Sequence, residues 1–222
     1  MFKKILIVDD HASVNHGIVQ TLLRETKIPQ IEHTQYCDDA YLKFQKASQD
    51  KRPFDLLIVD LTFKEDHRKD KFKTGIDLIE TLRSKQPQLK VIVYSVEDRP
   101  VKIKSLVTKH HINGFVSKSR NGLKELLDAI HTVWNNNTYI SKEIGIDLRK
   151  NDLFEIEDFD IMLLEKLAKG ITQEQITEHL MANNIKPNSL SSIEKKINRL
   201  KIHFKSKNTI HLVAKAKDLG LI

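Results

Sequence analysis

A single cysteine, Cys37, among 222 residues rules out an internal disulfide and any cysteine-rich zinc site. Apolar runs are also short, none approaching the roughly 20 residues that a membrane-spanning helix needs. Lys3 and Lys4 open the chain, but the aliphatic run behind them stops after four residues at Asp9, too short for the core of a secretory signal. A cytoplasmic protein with no membrane partner is therefore expected. Internal repeats and low-complexity tracts are missing as well. Ten histidines are present, but His11 and His16 are five apart and His110 and His111 are adjacent, so neither pair has the i, i+4 spacing of a helical metal pair. Surface positions are expected for them.

What is present is a series of aliphatic runs, each closing on a residue with chemistry. Ile5-Leu6-Ile7-Val8 is followed by Asp9 and Asp10, and Leu56-Leu57-Ile58-Val59 by Asp60. A further run, Val91-Ile92-Val93-Tyr94, ends on Ser95, and Gly114-Phe115-Val116-Ser117 precedes Lys118. Uninterrupted aliphatic residues between charges indicate strands buried on both faces, which belong in a parallel sheet covered by helices. Ligands of open α/β sheets bind beyond the carboxyl ends of the strands. Three carboxylates, a hydroxyl and an ammonium gathered at that edge suit phosphoryl transfer onto a carboxylate: acids to hold Mg2+, a nucleophile, and donors for phosphoryl oxygens.

Strands are expected near 4–9, 31–36, 55–60, 90–95 and 114–117, with helices near 12–26, 38–49, 75–85, 99–110 and 121–134. This alternation predicts a doubly wound, five-stranded parallel sheet. In the flavodoxin-like order 2-1-3-4-5, the first and third strands are neighbours and Asp10 meets Asp60. Turn-forming Asn135-Asn136-Asn137 ends the pattern and opens a linker placed at 135–155. From 156 to 222 only helical periodicity remains. Helices are expected at 157–168, stopped by Gly170; from Gln173 to about Met181, capped by Thr172; from Ser191, with Glu194 at capping-box spacing; and at 209–218, ending at Gly220.

In the third of these helices Ile193, Ile197, Leu200 and Phe204 form one apolar stripe, and Ser191, Lys195, Asn198 and Arg199 lie opposite. Between Lys186 and Lys217 nine Lys or Arg face a single acid, Glu194, the electrostatic footprint of a phosphate-backbone binder. A solvated basic face, or a helix that docks protein, is the alternative.

Residues 1–134 resemble the receiver domain of two-component response regulators, on the ordered set Asp9, Asp10, Asp60, Ser95, Phe115 and Lys118. The resemblance implies that Asp60 accepts a phosphoryl group from a sensor histidine kinase, that Asp9 and Asp10 join it in binding Mg2+, and that Ser95, Phe115 and Lys118 form the switch. It also implies inward movement of Ser95 and rotation of Phe115 on phosphorylation, then homodimerisation. Residues 156–222 resemble the LuxR-type helix-turn-helix output of one response-regulator family, on Ala168-Lys169-Gly170-Ile171-Thr172-Gln173-Glu174-Gln175-Ile176, Ser192-Ile193 and Lys207-Asn208-Thr209-Ile210. Duplex DNA is the implied partner, with Ser191, Ser192, Lys195, Asn198 and Arg199 as the implied contacts.

The chain departs from these patterns at Met162, where the family carries an acid, and in a long turn at 181–190. Ten residues at 64–73 also lengthen the loop between Asp60 and Gly75, as a solvated insertion or a cover over Asp60. The expectation is a phosphorylation-switched transcriptional regulator and not an enzyme, capable at most of slow self-dephosphorylation. An aspartyl-phosphate phosphohydrolase would need an acid two residues after its nucleophile, where this chain has Thr62.

Overall fold

The structure is a computed structural model that describes residues 1–64, 71–145, 156–219 and 221–222. It contains two compact units, Met1–Ile146 and Asp147–Ile222. In the first unit the elements run β1 (Lys4–Val8), α1 (Ala12–Glu25), β2 (Gln30–Thr34), α2 (Cys37–Gln49), β3 (Leu56–Val59), α3 (Gly75–Lys85), β4 (Lys90–Ser95), α4 (Pro100–Thr108), β5 (Gly114–Ser117), α5 (Gly122–Trp134) and β6 (Tyr139–Ile140). All strand pairings are parallel, in the order β2-β1-β3-β4-β5-β6.

Ile5, Leu6, Ile7 and Val8 are fully buried, as are Leu56 and Val59, which is what helices on both faces of a sheet require. Alternation then divides the strand residues between two cores. Ile5, Ile7, Leu56, Ile58, Ile92, Tyr94 and Val116 pack with Ile18 and Leu22 of α1 and with Leu126, Ile130 and Val133 of α5. Each such side chain contributes about 2 kcal/mol through burial. Pairing of Val8 with Val59, Val59 with Val93, and Ser95 with Ser117 sets the carboxyl ends of β1, β3, β4 and β5 along one edge.

The sheet has a sixth strand beyond the five expected, and it lies in the stretch assigned to the linker. Tyr139 and Ile140 pair with Gly114 and Phe115, after a turn in which Asn136 takes a positive φ of 60°. Two residues carry no periodicity, so sequence pattern cannot reveal such a strand. Side chains hold it: Ser141 donates to Glu125 of α5 and accepts from the Ser117 amide at 3.0 Å. Linker positions 146–155 lie outside the described residues.

The second unit contains α6 (Asp158–Ala168), α7 (Gln173–Ala182), α8 (Leu190–His203) and α9 (Thr209–Asp218). Leu163, Leu164, Ile176, Leu180, Ile193, Ile197, Leu200, Leu212 and Ala216 are among its buried side chains. Gly170 has φ of 76°, the left-handed stop that favours glycine, and Thr172 with Gln175 forms a capping box on α7. Ser191 does not cap α8. Ser189 does, its hydroxyl accepting from the Ser192 amide at 3.3 Å, so the cap lies two residues earlier than expected and Ser191 lies in the first turn of the helix. The capping-box spacing of Ser191 and Glu194 pointed to Ser191 and did not single out Ser189. Gly220 lies outside the described residues. Among the described residues no helix is long and apolar enough to cross a membrane.

Gly75 is the tightest backbone contact at the carboxyl edge. A Cβ there would lie 1.9 Å from the Asp60 carbonyl oxygen. Gly75→Ala should therefore displace α3 from β3 and destabilise the unit by about 1–3 kcal/mol, as over-packing does. Urea denaturation checks this, and a wild-type midpoint would contradict it.

Candidate functional site

Asp9, Asp10, Asp60, Ser95 and Lys118 converge at the carboxyl edge. Asp9 and Asp60 are only 2% and 4% exposed, and Ser95 is fully buried. Asp9, Asp60 and Lys118 each directly follow the last residue of a strand and Ser95 closes β4, which puts them at the edge where ligands of open α/β sheets bind. Lys118 Nζ lies 2.7 Å from Asp9 Oδ2 and 2.5 Å from Asp60 Oδ2. The second Asp60 oxygen accepts from Ser95 Oγ and from the Leu61 amide, both at 2.6 Å. Burial works against the Lys118 charge, but its hydrogen bonds to Asp60 and Asp9 outweigh that and raise its pKa above 10.5.

Ser95 and Lys118 already contact Asp60, and Phe115, paired with Val93 on one side and Ile140 on the other, is fully buried. The hydroxyl and the ammonium thus meet Asp60 directly, and the Phe115 ring lies in the core beside them.

The donor set fits a hard divalent cation. Asp9 and Asp10 present carboxylate oxygens that lie, with a ring nitrogen of His11, within 4.8 Å of one another, Asp60 meets Asp9 through the Lys118 ammonium, and Asp10 Oδ1 is a buried oxygen. Its neighbour is His11, whose Nδ1 stands 2.6 Å from that oxygen and 3.4 Å from Asp9 Oδ1. His11 is 49% exposed, a surface residue as expected, yet it borders the acid cluster. Residue spacing could not show this, because the approach depends on the turn into α1.

Asn15 was also missed. It is buried and donates from Nδ2 to the carbonyls of Asp9 (2.7 Å) and Thr34 (3.2 Å), tying α1 to the ends of β1 and β2. The available signal was a polar residue on the Asn15–Ile18–Leu22 stripe of α1.

The described flanks of the 64–73 insertion are anchored. The Lys64 amide donates to Asp10 Oδ2 at 3.3 Å, and Asp38 Oδ2 accepts from the amides of Lys71 and Phe72 at 2.9 and 3.4 Å. Phe72 is buried against the Tyr41 ring. Residues 65–70, the rest of the expected cover, lie outside the described residues. Thr62 is exposed and bridges Thr74.

In the second unit the apolar stripe of α8 faces inward, with Phe204 buried just past the helix end. Ser191, Lys195, Asn198 and Arg199 are exposed and Ser192 is half-buried. Several of the nine basic residues have internal partners, Arg199 among them at 4.0 Å from Glu157. Lys196 reaches Glu157 and Asp160 of the α6 start, and Lys215 of α9 donates to the carbonyls of Phe204 and Lys205 at the end of α8. Glu157 is held below its usual carboxylate range by its hydrogen bond to Lys196.

A doubly wound sheet with carboxylates, hydroxyl and ammonium at one edge, joined to a four-helix unit, defines a signalling regulator of the two-component class. Residues 5–131 match the response regulator receiver domain, and the chain belongs to that family. It is 24% identical over 206 residues to the response regulator protein VraR of Staphylococcus saprophyticus, covering 86% of this chain and 90% of VraR. VraR of Staphylococcus epidermidis is 23% identical over the same length, with the same coverage. The fold is similar to that of the RcsB response regulator of Salmonella typhimurium, with a TM-score of 0.70, 21% identity, and coverage of 96% of this chain and 98% of that one. RcsB of Salmonella enterica serovar Typhimurium bound to promoter rprA in the presence of the phosphomimetic BeF3− gives a TM-score of 0.63 at 20% identity, covering 95% and 96%.

Lys118→Met should leave Asp9 and Asp60 without their ammonium and destabilise the protein by about 3 kcal/mol at neutral pH in metal-free buffer. Because the folded Lys118 pKa is raised, its contribution is fully present below the unfolded value and is lost as pH rises through the folded one. The difference between wild type and variant in urea denaturation should thus hold from pH 7 to about 10 and shrink above. A difference that is absent at pH 7 would contradict the assigned pairing.

Proposed function

We propose that the protein is a DNA-binding transcriptional regulator switched by phosphorylation of Asp60. The observation that carries this is the pairing of Asp60 with Ser95 and Lys118 beside Asp9 and Asp10, in a chain that also presents an exposed basic helix face on α8. A sensor histidine kinase is the phosphoryl donor. One Asp60 carboxylate oxygen attacks phosphorus in line, the bond from phosphorus to the donor breaks, and the electron pair leaves with the donor. Asp9, Asp10 and Asp60 would hold Mg2+, which when bound neutralises phosphoryl charge.

Ser95 and Lys118 exchange their hydrogen bonds from the carboxylate to the phosphoryl oxygens, which are stronger acceptors. Lys118 follows β5, whose Ser117 amide is held by Ser141, so a shift of Lys118 is felt at β6. Hydrolysis of the acyl phosphate returns Asp60 to its starting state slowly, with no acid at Thr62 to assist. The receiver therefore acts as a timed switch.

Ser191, Ser192, Lys195, Asn198 and Arg199 are the proposed contacts. Lys195 and Arg199 offer charge to phosphate, and Asn198 an amide that can pair bidentately with adenine. RcsB has been solved as dimers on DNA, and a dimer of this chain would present two α8 helices to two half-sites. The domain limits that fit this reading are a first domain that runs past 134 to include β6 and a second at 156–222.

Acetyl phosphate with Mg2+ should label the wild-type protein once, and Asp60→Asn should abolish labelling while leaving the far-ultraviolet spectrum unchanged. Labelled and unlabelled protein should then be compared on genomic fragments, with Lys195→Ala/Arg199→Ala losing about tenfold or more in affinity. Persistent labelling of Asp60→Asn would refute the phosphoacceptor. Unchanged binding and salt dependence of the folded double variant would refute the DNA face and favour a protein-docking helix.

A further inference from the structure

The basic residues of the second unit fall into two structural groups. Lys195 is exposed on α8 and Lys205 and Lys207 are exposed after it, as a phosphate-binding surface requires. Lys196 is different. Its side chain is 17% exposed, and its ammonium stands 2.7 Å from Glu157 Oε2, 3.3 Å from Asp160 Oδ1 and 5.7 Å from the centre of the Phe159 ring.

Asp160 is fully buried, and its other oxygen accepts from the Glu157 amide at 3.0 Å, closing the first turn of α6. Oδ1 has no hydrogen bond, so Lys196 is the cation available to offset its charge. A buried carboxylate left without a cation is strongly unfavourable, so Lys196 is held to α6 and withdrawn from outside partners. At the opposite end of α8, Lys215 Nζ donates to the Phe204 carbonyl at 2.7 Å and the Lys205 carbonyl at 3.3 Å. A cation on the last carbonyls of a helix satisfies orphan acceptors and complements the negative end of the dipole.

We propose that Lys196 and Lys215 are positioning residues that fix α8 at its two ends and take no DNA phosphate, with Asp160 as the anchor of the first pin. The proposal rests on the DNA-binding reading given above. The long connection from α7 to α8, residues 183–189, makes such pins necessary. A short turn sets the angle between two helices through its own geometry, whereas seven intervening residues leave that angle to side-chain contacts.

The charge-based expectation and the positioning expectation differ in sign at Asp160. If only charge mattered, Asp160→Asn would remove a negative group and strengthen binding to a polyanion. If Asp160 anchors α8, the same change weakens it.

The test measures the affinity of the full-length protein for a duplex genomic fragment as a function of salt, for wild type, Lys195→Ala, Lys196→Met, Lys215→Met and Asp160→Asn. Far-ultraviolet circular dichroism accompanies each. Lys195→Ala should flatten the slope of log affinity against log salt by about 0.9, the value of one released counterion. Lys196→Met, Lys215→Met and Asp160→Asn should lower affinity by about tenfold, the worth of a lost specific contact, with slopes equal to wild type. If Asp160→Asn or Lys196→Met loses helix content, Lys215→Met, which strands no buried charge because its partners are carbonyls, decides the matter by its slope.

A Lys196→Met or Lys215→Met slope that falls as much as that of Lys195→Ala overturns the positioning role. So does tighter binding by folded Asp160→Asn. A wild-type protein that binds no duplex even at low salt overturns the DNA reading itself and this proposal with it, an outcome distinct from a slope change in the variants alone.

Discussion

Three carboxylates share the carboxyl edge of the sheet with one ammonium, and the first unit is organised around that imbalance. Two unit charges 4 Å apart interact by about 4 kcal/mol at the effective dielectric of a protein surface, so Asp9 and Asp60, both nearly buried, could not stand together without Lys118 between them. Lys118 reaches both because β5 lies beside β4 in a register that sets Ser117 against Ser95. One positive charge against three negative ones still leaves the edge acidic. That residual charge gives the proposed Mg2+ its attraction, and the short contacts of Asp60 supply donors for the proposed phosphoryl group.

The supports around the edge follow from the same constraint. Asn15 spends its amide on the carbonyls of Asp9 and Thr34, holding the turn that carries the acid pair. Gly75 allows α3 to approach the Asp60 backbone more closely than any side chain would permit. Glu125 and Ser141 tie β6 and the Ser117 amide to α5, immediately before the strand gives way to Lys118. None of these residues carries the chemistry. Each limits how far a residue that does can move.

The carboxyl-edge group was legible in the sequence because each member follows its own aliphatic run, and a run buried on both faces has one placement in a doubly wound sheet. Strand order was legible for the same reason. What escaped was decided by contacts between distant residues or by elements too short to show a period. β6 has two residues, so neither alternation nor composition marks it. The cap of α8 fell among Ser189, Ser191 and Ser192, and only the backbone at Ser189, extended with ψ of 146°, separates them. His11 approaches the acids through the turn into α1, and Asp160 meets Lys196 across helices; neither contact follows from residue spacing.

Charge in the second unit shows what a sequence count can and cannot carry. Nine basic residues between Lys186 and Lys217 set an upper limit on the phosphates one chain can meet there. Salt dependence of binding counts released ions, so that limit is also a limit on slope. If Lys196 and Lys215 are positioning residues, as proposed above, that limit falls from nine to seven. Position along the sequence does not separate the two kinds of lysine, since Lys195 and Lys196 are adjacent. Helical geometry does, because one residue turns the side chain by about 100° around the axis, from the exposed face to the side that meets α6.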